Sequence, residues 1–115
     1  MKYLCLIYGE ESALAALADS ECLACDRELQ RSGHGLVSEA LQPVHTATTV
    51  RVRNGKLSVT DGPFAETKEQ LSGFYLVEAR DLNEAIQLAA SMPPARVGSI
   101  EVRPVREIEL PQPAP

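Results

Sequence analysis

Gly73-Phe74-Tyr75-Leu76-Val77-Glu78-Ala79-Arg80-Asp81-Leu82-Asn83-Glu84-Ala85-Ile86-Gln87-Leu88-Ala89-Ala90 is the stretch whose reading decides the fold, because its pattern changes character halfway along. Gly73 to Ala79 is a short apolar run with two aromatic residues and predicts a strand. Asp81-Leu82-Asn83-Glu84 has the form of a capping box, in which the Asp81 carboxylate accepts the Glu84 amide and the Glu84 side chain reaches back. Leu82, Ala85, Ile86, Ala89 and Ala90 then recur at helical spacing, so an amphipathic helix follows the strand. Met92-Pro93-Pro94 ends it. Gly98 to Pro104 predicts another strand, with Ile100 and Val102 opposite Glu101 and Arg103.

Working outward, Tyr3 to Tyr8 is a continuous apolar run closed by Gly9, which suits a central strand buried on both faces. From about Ser12 to Arg31 the pattern is helical. Asp19-Ser20 interrupts its apolar stripe and would cap a second helix if one long helix does not form. Gly33 stops the helix on either reading. Leu36 to Leu41 is a weak strand before Pro43, and Thr46 to Arg53 a strong one rich in β-branched residues. Period two puts Thr48, Val50 and Val52 on one face of it and Thr49, Arg51 and Arg53 on the other. Asn54-Gly55 supplies the turn of a tight hairpin into Lys56 to Thr60.

The predicted order is β-α-β-β-β-β-α-β, which makes an α+β protein: a ferredoxin-like split βαβ sheet with an extra β-hairpin and helices on one face. The other sheet face needs cover, so a homodimer whose two sheets close toward a barrel is expected. Residues 1–115 read as a single domain without repeat or linker, and the proline-rich end, from about residue 108, is expected to be frayed.

Composition narrows the function classes. At 115 residues the chain buries roughly two-thirds of its unfolded surface and needs no disulfide or metal staple. A net charge of -5 argues against a nonspecific nucleic-acid binder, and 4% aromatic residues without Trp against a base-stacking platform. No run approaches the roughly 20 apolar residues of a membrane span. Three cysteines fit a reducing compartment, so a cytoplasmic location is expected. Neither a cofactor nor a metal is called for.

Chemistry concentrates between Val59 and Tyr75, where two apolar segments flank a turn carrying carboxylates, hydroxyls and a lysine. Asp61, between a strand and Gly62-Pro63, has two readings: it accepts backbone amides of the turn, or it projects into a cleft as general base or substrate anchor. Pro63 stiffens the loop and biases Gly62 toward extended backbone. Arg51 and Lys68 are the candidate partners for a small anionic molecule, against the alternative of solvated surface charges. Glu66 and Glu69 flank Lys68, and Glu66 joins the binding candidates. Cys22 and Cys25 form a lone Cys-x-x-Cys that suits packing better than redox or metal chemistry, because no second ligand pair accompanies it. His34 is placed to complement a helix dipole, and His45 precedes a strand.

The opening Met1 to Gly9, Leu41-Gln42-Pro43 with Thr46 to Arg51, the run Thr60-Asp61-Gly62-Pro63-Phe64-Ala65-Glu66-Thr67-Lys68-Glu69-Gln70-Leu71, and Gly98 to Pro104 together resemble the YCII-related proteins of the DGPF type. The resemblance covers nearly the whole chain and implies a bacterial dimeric α+β barrel. Most relatives have no assigned reaction. The broader superfamily includes a lyase-like dehydrochlorinase, and proteins in which a His-Asp pair lines an active-site pocket. That His lies on the first helix, eleven residues before the glycine that ends it; here the position is Cys22, counted back from Gly33. The resemblance therefore makes Cys22 a pocket residue and removes the dyad. DGPF-type proteins are often encoded beside sigma factors of the extracytoplasmic-function class. Three functions follow as expectations: a lyase- or isomerase-like small-molecule enzyme using Asp61, a non-catalytic ligand-binding or regulatory protein associated with such a sigma factor, and a hairpin that only completes the dimer.

Overall fold

Met92, Val77 and Cys5 are the largest side chains wholly removed from solvent, and they mark where one face of a sheet meets the helices. The computed structural model describes residues 1–111, so the last four residues of the proline-rich tail lie outside the described residues. Within the described part of that tail, 108–111 adopt neither helix nor strand. The elements are β1 (Lys2–Gly9), α1 (Glu11–Ala15), α2 (Asp19–Arg31), β2 (Gly35–Ala40), β3 (Thr48–Arg53), β4 (Lys56–Asp61), β5 (Gln70–Glu78), α3 (Leu82–Ala90) and β6 (Ser99–Pro104). Single 3-10 turns occur at Val44–Thr46 and Pro93–Arg96. The main sheet runs β2-β5-β1-β6 with all its pairs antiparallel, which is the ferredoxin-like order, and β3 and β4 form a separate two-stranded sheet.

Cross-strand register builds the core in rows. Ser38, Tyr75, Cys5 and Val102 lie side by side across the four strands, and Ala40, Gly73, Ile7 and Ile100 form the next row on that face. Leu29 of α2, Ala85 and Ala89 of α3, and Met92 close over it. The opposite face carries Val37, Leu76 and Leu4, then Phe74 and Leu6, at the alternate positions. The molecule is only 20 Å in its shortest dimension, the thickness of a sheet and one helix layer, so nothing among the described residues covers that second face. Burial of β1 on both faces is thus only half realised: Tyr3, Cys5 and Ile7 are buried, whereas Leu4, Leu6 and Tyr8 are half-buried.

The helical region divides. Ala18 takes extended backbone with ψ 133°, and Asp19 is the first helical residue of α2 and not its cap. Asp19 and Glu21 place negative charge in the first turn, where the helix dipole favours it. At α3 half of the capping box forms as expected, with the Glu84 amide donating to Asp81 Oδ1 at 2.9 Å. The Glu84 carboxylate reaches one residue further back, accepting the Arg80 amide at 2.9 Å, because Arg80 Nη1 also draws it to 3.1 Å. His34 sits beyond α2 with Nδ1 2.9 Å from the Glu78 carbonyl oxygen and 3.7 Å from the same Glu84 carboxylate.

The β3–β4 hairpin turns at Asn54 (φ 51°) and Gly55 (φ 73°), the paired positive values a two-residue turn demands. Val50 faces Val59 and Val52 faces Leu57 across it. No layer among the described residues backs this ladder, and Leu57 stays 68% exposed and Val50 61% exposed. No helix among the described residues is long and apolar enough to cross a membrane.

Two substitutions should separate local capping from core packing. Asp81→Ala is expected to lower the unfolding free energy by about 1 kcal/mol, the usual value of an N-cap. Met92→Ala, which empties a fully buried site, should cost about 2–5 kcal/mol. Urea denaturation of both variants measures the difference, and equal losses would contradict this placement of the core.

Candidate functional site

A cavity of about 650 Å³ opens between the helices and the β2 end of the sheet. That size suits a small organic molecule. α1 contributes Glu11 and Leu14, the first half of α2 contributes Asp19, Cys22, Leu23 and Asp26, and Ser38, Leu41, Ser72 and Tyr75 line it from the strands and the chain after β2. Two short helices meet here in place of one long one, so the break at Ala16–Ala18 helps shape the cavity wall. The Leu41 amide donates to the Ser72 carbonyl at 2.8 Å and ties the chain leaving β2 to β5. The Val44 amide donates to Glu11 Oε2 at 3.1 Å and anchors the following turn to α1.

The polar feature of the wall is a carboxylate-hydroxyl pair. Ser38 Oγ donates to Asp26 Oδ1 at 2.6 Å, and Gln30 Nε2 approaches the other oxygen at 3.4 Å. Both partners are half-buried. Sequence reasoning missed this pair. Asp26 lies one helical turn beyond Cys22, which was the available signal, but only the antiparallel register of β2 on β5 brings Ser38 to it.

Cys22 is among the residues that line the cavity. Burial pushes its thiol upward, the Glu21 and Asp19 carboxylates add to the rise, and Arg96 opposes it. Cys25 is also raised, chiefly by burial, against a hydrogen bond from the Tyr75 hydroxyl. Two neutral thiols are the reverse of an activated redox pair. Cys5, wholly buried, is pushed up to about 11 by desolvation. Among the described residues no group of three or more His, Cys, Asp or Glu is placed to hold a metal ion.

The remaining candidates lie elsewhere. Asp61, Arg51, Glu66 and Lys68 are absent from the cavity lining. Asp61 ends β4 opposite Thr48 and is exposed, and its carboxylate makes no hydrogen bond or ion pair among the described residues. The amide-accepting role is taken by other groups: the Gly62 amide donates to the Ala47 carbonyl at 2.7 Å, and Thr49 Oγ1 donates to the Gly62 carbonyl at 2.9 Å. Gly62 has φ 110°, in the region glycine reaches freely, where extended backbone was expected. Arg51 lies over the Phe64 ring at 5.7 Å, a cation-π contact. Lys68 Nζ is 3.5 Å from Glu10 Oε1, an exposed pair, and Glu69 accepts from Ser99 Oγ at 2.7 Å. The structure thus brings none of these four to Cys22 within one chain.

A family model for the YCII-related domain matches residues 1–109. The chain belongs to the YCII-related family. An uncharacterized protein of Rhizobium meliloti (strain 1021) is 39% identical over 114 residues, covering 91% of this chain and 92% of the relative. The YCII-related assignment and the ferredoxin-like order of the sheet agree with each other. Neither carries a reaction.

Thiol chemistry tests the geometry of this YCII-related cavity. Iodoacetamide should alkylate half-buried Cys22 first, Cys25 more slowly, and buried Cys5 only on unfolding. Because the thiol is the dominant form at neutral pH, the Cys22 rate should climb about tenfold per unit between pH 7 and 8.5. Peptide mass spectrometry after timed quenching reads each site, and a rate already level at pH 7 would contradict the raised thiol.

Proposed function

We propose that this protein binds a small organic molecule in the cavity between α1, α2 and the β2 end of the sheet, with Asp26 and Ser38 as its polar contact. The observation that carries the reading is the 2.6 Å Ser38–Asp26 hydrogen bond set in the wall of a 650 Å³ space bounded by leucines. Ligand sites combine apolar walls with a few convergent polar groups in this way. Proton transfer of the lyase or isomerase kind is the reaction class the pair suits, with the Asp26 carboxylate as the base and the Ser38 hydroxyl orienting it. Asp61 has this role only through a second copy of the chain, since it does not reach its own cavity. A sigma-factor partner rests on the resemblance alone.

A second copy is also our reading of the uncovered sheet face. Leu4, Leu6, Phe74 and Leu76 form a contiguous half-buried apolar surface on it, which favours pairing face to face. Sedimentation equilibrium should therefore give about twice the 12.5 kDa chain mass at micromolar concentration, and Leu6→Glu should shift it toward the single chain. A stable wild-type monomer would remove this part of the proposal.

Ligand occupancy is tested by amide NMR during fragment titration. Fragments that bind should move the resonances of Cys22, Ser38 and Gly73 together. Asp26→Asn and Ser38→Ala should each weaken binding roughly tenfold, the value of one hydrogen bond to a charged group. Shifts confined to Asp61, Arg51 and Lys68 would transfer the site to the hairpin.

A further inference from the structure

The charge of the cavity wall is one-sided. Glu11, Asp19 and Asp26 are among its lining residues, and among the described residues no Lys, Arg or His is, while Glu39 alternates to the other sheet face with Phe74. Of these carboxylates, Glu11 accepts the Val44 amide and Asp26 neutral side chains, and among the described residues no cation pairs with either. Arg96 approaches from outside the lining and is held by Glu21. Cys22 in the same wall has its thiol pushed upward first by burial and then by Glu21 and Asp19, of which only Asp19 lines the cavity. A second feature is independent of charge. Leu23 and Leu41 are large apolar side chains left about half exposed where they line this space. Solvated carboxylates alone do not require such walls, whereas an organic ligand uses them.

We infer that the cavity selects a small apolar cation, an organic ammonium group on a hydrocarbon body, and not the anionic molecule that Arg51 and Lys68 suggested. The ammonium donates to the free lone pairs of Asp26, with Asp19 and Glu11 contributing field, while the hydrocarbon body lies on Leu23 and Leu41. Arg51 and Lys68 cannot compete for an anion here because one stacks on Phe64 and the other lies beside Glu10, both outside the lining. This inference rests on the cavity being the ligand site, and it adds the sign of the ligand's charge.

The test uses three matched probes on the full chain at pH 7 and low salt: 2-phenylethylamine, 2-phenylethanol and phenylacetate. Amide NMR follows Cys22, Ser38 and Gly73. The amine should saturate these shifts at a concentration at least tenfold lower than the alcohol, and phenylacetate should leave them unmoved. Raising the salt should weaken the amine and not the alcohol. Asp26→Asn, its fold checked by the dispersion of the same spectrum, should reduce the amine to the level of the alcohol, and Asp19→Asn should weaken it by a smaller factor. Equal binding of all three at these residues keeps the cavity as the ligand site and overturns the charge selection, as does tighter binding of phenylacetate. If none of the three moves these resonances, the ligand site and the inference fall together.

Discussion

Everything in this molecule depends on β1 lying between β5 and β6 with helices on only one side of it. Once Tyr3, Cys5 and Ile7 are buried beneath Leu29, Ala85, Ala89 and Met92, strand alternation forces Leu4, Leu6 and Tyr8 to the other face. The same constraint sets the position of the cavity. Helices that cover the β1 and β6 side closely leave room above β2, the edge strand, where the short α1 and the start of α2 stand as walls. A site and an uncovered apolar face are therefore two outcomes of one asymmetric layer.

The functional side chains inherit their environment from that geometry. Cys22 and Asp26 are one turn apart on α2 and look into the same space, but they differ in what meets them. Asp26 meets a serine hydroxyl from β2, which organises a carboxylate. Cys22 meets burial and two negative neighbours, which keep a thiol protonated and quiet. The Asp-Gly-Pro-Phe turn has a different physical character. Its backbone bonds hold it without help from the Asp61 carboxylate, so that carboxylate stays available at the surface of a hairpin whose apolar ladder is also uncovered.

Much of this was legible in the chain itself. Hydrophobic period, Asn54-Gly55 and Asp81 act within a few residues of each other, and they identified the strands, the hairpin and the α3 cap. Element order then limited the sheet to the split βαβ arrangement and the family motifs to the YCII-related group. Local signals failed where two partners competed for one group. Glu84 serves Arg80 and not the Asp81 amide.

What sequence alone determined was thus the set of elements and their connectivity, because those follow from interactions between near neighbours. What only the tertiary structure decided was which polar residues share a space. Asp26 and Ser38 are twelve positions apart and belong to different elements, and their bond exists because β2 pairs with β5 in one register beneath α2. Asp61 and Cys22, both candidate site residues, are separated for an equally physical reason: the hairpin forms its own sheet and carries its carboxylate outside the cavity of the chain it belongs to.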